Sequence, residues 1–210
     1  MLKLLLVDDH ELIRAGLKQV LHTSLGNITV GEAKNADEAM SLLHKQKWDM
    51  VITDITMPGR SGLDLLMDFK SARPEMPVLV LSVLSEDEIA MRVLKSGAAG
   101  FVHKEASGEE LVKAVRKVLT GGKYVSTTLA EKLALQITAP PTEQPHKKLS
   151  DREYVVMTML ASGTTLTQIG RILSLSIKTI STYRSRILQK MKLANNAELT
   201  RYALKHGLVE

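Results

Sequence analysis

The chain contains no cysteine, which excludes disulfides and thiolate metal sites and fits a reducing compartment without requiring one. No uninterrupted apolar run approaches a membrane span, and the opening MLKLLLV is too short for the hydrophobic region of a secretion signal. No low-complexity tract is present. A soluble protein with no membrane partner is expected. The phosphate-cradling loop Gly-x4-Gly-Lys-Ser/Thr is also missing, because TGGKY (120–124) lacks the upstream glycine and the hydroxyl. A kinase glycine-rich loop is absent too. The six histidines are scattered, without metal-ligand spacing.

What is present is an uneven charge. Residues 147–210 hold eleven Lys and Arg against four Asp and Glu, a formal +7. Residues 1–146 hold seventeen against nineteen, or −2. A basic end on a mildly acidic body suggests a nucleic-acid partner for that end. The 210 residues, 44% of them apolar, can bury one large core or two ordinary ones.

The first two-thirds alternates short apolar runs, at 2–7, 28–33, 50–53, 77–82 and 100–103, with helical patterns. Start signals precede some helices: Asn35 with Glu38, and Ser107 with Glu110 as a capping box. This alternation predicts βαβ units and a doubly wound five-stranded parallel sheet with helices on both faces. A further helix is predicted at 126–137, then a Pro-rich polar linker, TAPPTEQPHKK (138–148). Beyond it the pattern is all helical, at about 150–161, 165–174, 177–192 and 195–206.

In a doubly wound sheet, ligands sit outside the carboxyl ends of the strands. Asp8 and Asp9, Asp54, Ser82 and Lys104 fall at those ends. Each alone has a plain explanation: the acidic pair or Ser82 as a helix cap, Lys104 as a solvated surface residue. Together they are hard to attribute to capping. Three hard carboxylates, with no histidine expected among them, suit an oxygen-loving ion such as Mg²⁺. A carboxylate can also attack phosphorus to give an acyl phosphate. Lys104 and Ser82 are suited to meet phosphoryl oxygens. A haloacid-dehalogenase-type phosphatase wants a second aspartate two residues after the nucleophile, where this chain has Thr56.

VDDH, VITDITMPGRSGLDLL, VLVLS and GAAGFVHK resemble the receiver domain of bacterial two-component response regulators, over about residues 1–121. The resemblance implies a flavodoxin-like fold with Asp54 as phosphoacceptor. It implies Mg²⁺ held by Asp9 with Asp8 assisting, by Asp54 and by the carbonyl of Thr56. Ser82 and Phe101 would be a switch pair, Lys104 the phosphate-sensing lysine, and Pro58 and Gly59 the shapers of the loop after Asp54. Such a domain is no enzyme in its own right: it accepts a phosphoryl group and at most slowly removes it.

In the basic end, LSLSIKTISTYRSRILQKM (173–191) on a helical wheel gathers Ile177, Ile180, Ile187, Leu188 and Met191 on one side. Lys178, Ser181, Thr182, Ser185 and Gln189 gather opposite, with Arg186 beside them. One reading is an ordinary amphipathic helix. The other is a major-groove reader, because short hydroxyl side chains flanked by bases can approach base edges. Residues 149–206 resemble the four-helix LuxR-type helix-turn-helix domain. With the receiver, this makes the chain similar to the NarL/FixJ class, including its BvgA-like and UvrY/GacA-like members. Thr167, Gln168 and Gly170 depart from the usual KEIA run, and Tyr183 replaces a frequent His.

The resemblance implies Ser181, Thr182 and Ser185 as base readers and Lys178, Thr179 and Arg186 as phosphate contacts. Arg184 falls among the isoleucines on the wheel and is expected to pair with Glu153. The expected organisation is a receiver at 1–121, a linker helix and Pro-rich linker at 122–148, and a DNA-binding domain at 149–210. Implied partners are operator or promoter DNA, a sensor histidine kinase, a second copy of the chain on DNA, and RNA polymerase, in a bacterial cytoplasm. The rival class is a regulator whose tail binds a protein instead of an operator. Retention on nonspecific DNA that weakens steeply with salt separates the two.

Overall fold

The computed structural model describes residues 1–58, 62–83, 86–138 and 144–209. Gly59 and the proline-rich centre of the linker lie outside the described residues. The chain divides into two compact units, Met1–Glu131 and Lys132–Glu210. Among the described residues no helix is long and apolar enough to cross a membrane.

Unit one contains strands β1 (Leu2–Val7), β2 (Ile28–Ala33), β3 (Met50–Asp54), β4 (Val78–Ser82) and β5 (Gly100–His103). Helices α1 (Glu11–Leu25), α2 (Ala36–Lys45), α3 (Gly62–Ala72), α4 (Glu86–Lys95) and α5 (Gly108–Leu119) alternate with them. All pairings are parallel, in the order β2-β1-β3-β4-β5. Every residue of β3 and β4 is buried, which is why these strands read as unbroken apolar runs rather than alternating ones. Leu4, Leu6, Ile52, Leu79 and Leu81 pack with Leu111, Val115 and Val118 of α5, each buried leucine worth about 1.5–3 kcal/mol. The strand order reverses between β1 and β3, so the crevice at the carboxyl ends opens there.

After α5 the chain returns to the sheet edge at Tyr124, which forms an isolated parallel bridge with Gly100. Helix α6 (Thr127–Thr138) follows.

In the second unit a 3-10 turn (Pro145–Lys148) precedes α7 (Asp151–Ala161), α8 (Leu166–Ile172), α9 (Ile177–Met191) and α10 (Asn196–Lys205). Full capping boxes start two of them, Ser150 with Glu153 and Thr165 with Gln168. Gln168, one of the departures noted in the sequence, therefore has a local role. At α5, Ser107 accepts from the Glu110 N–H. Ser174, with φ of 49°, lies in the turn between α8 and α9.

Candidate functional site

The sheet register assembles the site. Val7 pairs with Thr53, Asp54 with Leu81 and Ser82 with His103, so the residues just beyond these strand ends meet at one edge. Backbone bonds continue the ladder: Asp8 N to Ala33 O at 3.1 Å, Ile55 N to Leu81 O at 3.2 Å, and Lys104 N to Ser82 O at 2.8 Å. Helix α3 starts close against this edge. A Cβ on Gly62 would lie 1.9 Å from the Asp54 carbonyl oxygen, so only glycine fits.

Asp8, Asp54 and Ser82 are completely buried. Lys104 is no solvated surface residue: its side chain is 6% exposed, with Nζ 2.6 Å from Asp8 Oδ2 and 2.7 Å from Asp54 Oδ2. Burial alone would lower the Lys104 ammonium. The charge of Asp54, with hydrogen bonds to Asp54 and Asp8, outweighs that and holds it above its usual value. Thr56 donates from its N–H to Asp54 Oδ1 at 3.0 Å, and its hydroxyl lies 3.1 and 3.2 Å from the two carboxylate oxygens. Phe101 is 1% exposed.

The capping explanation for the acidic pair does not hold. The N-cap of α1 is His10, whose side chain makes no capping bond, and Asp8 Oδ1 accepts the His10 N–H at 2.8 Å, from outside the helix. His10 also corrects the expectation that no histidine joins the carboxylates. Its Nδ1 is 3.2 Å from Asp8 Oδ1 and 3.1 Å from Asp9 Oδ1. Its place beside the pair in VDDH was the available signal. Arg14, one turn into α1, donates to the Asp8 carbonyl at 2.7 Å and was not anticipated either.

One ligand atom each from Asp8, Asp9, His10 and Asp54 lies within 4.8 Å of the others. Burial raises the Asp9 carboxyl, His10 opposes this, and Asp54 and Asp8 add to the rise. Asp9 Oδ1 is buried and, among the described residues, accepts no well-directed hydrogen bond, with His10 Nδ1 3.1 Å away. An under-coordinated carboxylate oxygen beside two like charges is what a divalent cation relieves, and the predominantly oxygen donors suit a hard ion.

In the second unit, Lys178, Thr182, Ser185 and Arg186 of α9 are exposed, with Ser181 and Thr179 partly so. The Thr179 hydroxyl lies 2.8 Å from Ser176 Oγ, within the helix start, and Thr182 Oγ1 donates to the Lys178 carbonyl at 3.0 Å. Ile180, Ile187, Leu188 and Met191 are buried, but Ile177, placed with them on the wheel, is 53% exposed. It sits in the first turn, before the helix has reached the core.

The expected Arg184–Glu153 pair is not formed. Arg184 Nε donates to Asn196 Oδ1 at 2.6 Å, while Glu153 accepts from Lys190 Nζ at 2.6 Å and from Ser150 N at 2.8 Å. Burial pushes the Glu153 carboxyl up, but these bonds hold it below its ordinary value.

Comparison with known proteins matches residues 4–116 to the response regulator receiver domain and residues 147–203 to the bacterial regulatory proteins of the luxR family. The response regulator UvrY of Escherichia coli K12 is 36% identical over 209 residues, covering 99% of this chain and 96% of UvrY. The response regulator GacA of Pseudomonas aeruginosa is 36% identical over 211 residues, covering 100% of this chain and 99% of GacA. Among solved structures, RcsB of Salmonella enterica serovar Typhimurium, bound to promoter rprA with the phosphomimetic BeF3⁻, superposes with a TM-score of 0.67. It is 27% identical and covers 96% of this chain and 97% of RcsB. A second structure, the two-component response regulator RcsB–DNA complex, gives a TM-score of 0.60 at 27% identity, covering 96% of each chain.

Proposed function

The chain belongs to the bacterial response regulators that join a receiver to a LuxR-type DNA-binding domain, and from that premise we propose that Asp54 is its phosphoryl acceptor. As a member of this class it regulates transcription by binding DNA under the control of phosphorylation. The observation that carries the assignment of Asp54 is its setting: a fully buried carboxylate at a strand end, touched by Thr56 and Lys104.

In this reading an Asp54 carboxylate oxygen attacks phosphorus and forms the new P–O bond. The leaving group of the donor, a histidine kinase or a small acyl phosphate, departs with the electron pair of the bond it held. Thr56 orients the carboxylate through two donors. Lys104, held between Asp8 and Asp54, is positioned to turn to the phosphoryl oxygens, and Ser82 to donate to one of them. Asp8, Asp9 and Asp54, with the Thr56 carbonyl, would hold Mg²⁺, which when bound neutralises charge between donor and acidic pocket. The protein is an acceptor rather than an enzyme, with slow self-dephosphorylation at most.

For DNA, Ser181, Thr182 and Ser185 read bases while Lys178, Thr179 and Arg186 meet phosphates. Two copies on a palindromic site would need half-sites about one helical turn apart. RNA polymerase is a further partner in this reading, and the bacterial cytoplasm its place. The −2 of residues 1–146 opposes the +7 of residues 147–210 and is suited to mask it at rest. Residues 147–210 alone should therefore bind operator DNA without phosphorylation, and the unphosphorylated whole chain more weakly. Gel shifts on one fragment decide this. Equal affinity would remove masking and leave dimerisation to carry the signal.

A further inference from the structure

The outer edge of β5 is occupied by the chain that leads into α6. Tyr124 N donates to Ala99 O at 2.9 Å, and Phe101 N donates to Tyr124 O at 3.0 Å. The backbone of the switch residue is thus bonded directly to a residue outside the five strands. Tyr124 itself is 5% exposed and packs with Leu79, Val102, Leu111 and Val115. Its hydroxyl donates to Glu110 Oε1 on α5 at 3.2 Å, and Lys117 Nζ lies 6.0 Å from its ring centroid.

The connection onward is short. Two residues after Tyr124, Ser126 opens α6: its carbonyl accepts from Ala130 N at 2.9 Å and its hydroxyl from Leu129 N at 3.1 Å. Leu129 is 1% exposed. Two residues span at most about 7 Å, and Val125 has none of glycine's conformational freedom to absorb a shift. Gly100 makes the close approach feasible. A Cβ there would lie 2.7 Å from Tyr124 O and 3.0 Å from Tyr124 Cβ.

We propose that Tyr124 is a positioning residue that carries the state of Phe101 into the first turn of α6, and so into the chain that leads to the DNA-binding unit. The proposal rests on the reading of Phe101 as part of the phosphorylation switch. Any displacement of the β5 backbone that accompanies a turn of Phe101 moves its N–H, and the strap formed by residues 123–125 must follow or lose that bond.

Gly100→Ala in the full chain should wedge the strap from the edge. Labelling of Asp54 by a small acyl phosphate should remain, because the acidic pocket lies at the other end of β5. The gain in DNA affinity on phosphorylation should be lost. Full labelling with the full gain retained would overturn the proposal. Amide exchange on the wild-type chain, with and without phosphoryl donor, tests the same idea independently of whether the variant folds. Protection of the Phe101 and Tyr124 amides should change together with the first turn of α6. If α6 changes while both amides do not, Tyr124 is not the route. If Asp54 labels but Phe101 and α6 both stay unchanged, the switch reading itself fails, and the proposal with it.

Discussion

Lys190→Met tests how the DNA-binding unit is held together. Glu153 is 3% exposed and accepts from Ser150 N and from Lys190 Nζ. Removing the ammonium while keeping the side-chain length leaves a buried carboxylate with no cation paired to it and only its bonds to Ser150. Breaking a fully buried pair costs about 3–5 kcal/mol, and an exposed pair is worth about 0–1. The Lys190 side chain is 43% exposed and that of Glu153 4%, so this pair falls between, at about 2 kcal/mol. With a urea dependence of about 1 kcal/mol per molar for so small a unit, the midpoint should fall by roughly 2 M. Helical ellipticity of residues 144–210 would follow it. Arg184→Met should cost less, about 1 kcal/mol, since it removes a neutral partner, Asn196. Glu153 is held below the ordinary 4.5 in the folded state. Its contribution is therefore complete above that value and lost as pH falls through the folded value. Wild type and Lys190→Met should converge as pH falls through that folded value. If Arg184→Met proves the more damaging change, the pairing of Glu153 with Lys190 is refuted.

Gly62→Ala places a methyl against the Asp54 carbonyl and should destabilise the receiver by about 3 kcal/mol or more, read by thermal unfolding through Trp48 fluorescence; a neutral result would contradict the close packing of α3 on the site. Ser181→Ala or Ser185→Ala should shift base preference in selected fragments and leave salt-dependent nonspecific binding intact, because these hydroxyls carry no charge. Lys178→Ala should weaken all sequences alike and reduce the salt slope by about one; a uniform loss from the serine changes would remove them as base readers.

The legible parts of this chain were those with a strong period or an end signal. β1, β2 and β5 coincide with apolar runs whose ends are marked by Asp8, the Asn35 cap and Lys104. That made the convergence at one sheet edge readable before any distance was known. Pairing partners across helices were not readable. A wheel gives the side of α9 on which Arg184 lies, but not which polar group of a neighbouring helix reaches it, and Lys190 is long enough to claim Glu153 first. Ile177 fits the apolar stripe by angle yet is exposed by its position at the helix start. Tyr124 is a single bridge residue with no alternation around it, so nothing in GGKYVST marks it as part of a sheet edge. His10 has no metal-ligand spacing to other histidines, and only its place beside the acidic pair in VDDH marks it.

The central claim is that Asp54 accepts the phosphoryl group, and intact-mass analysis after incubation with a small acyl phosphate tests it most directly. The wild-type chain should gain a single phosphoryl mass when Mg²⁺ is present and little without it, and Asp9→Ala should need more Mg²⁺ to reach the same labelling. Asp54→Asn should gain none. An Asp54→Asn chain labelled as fully as the wild type would contradict the account.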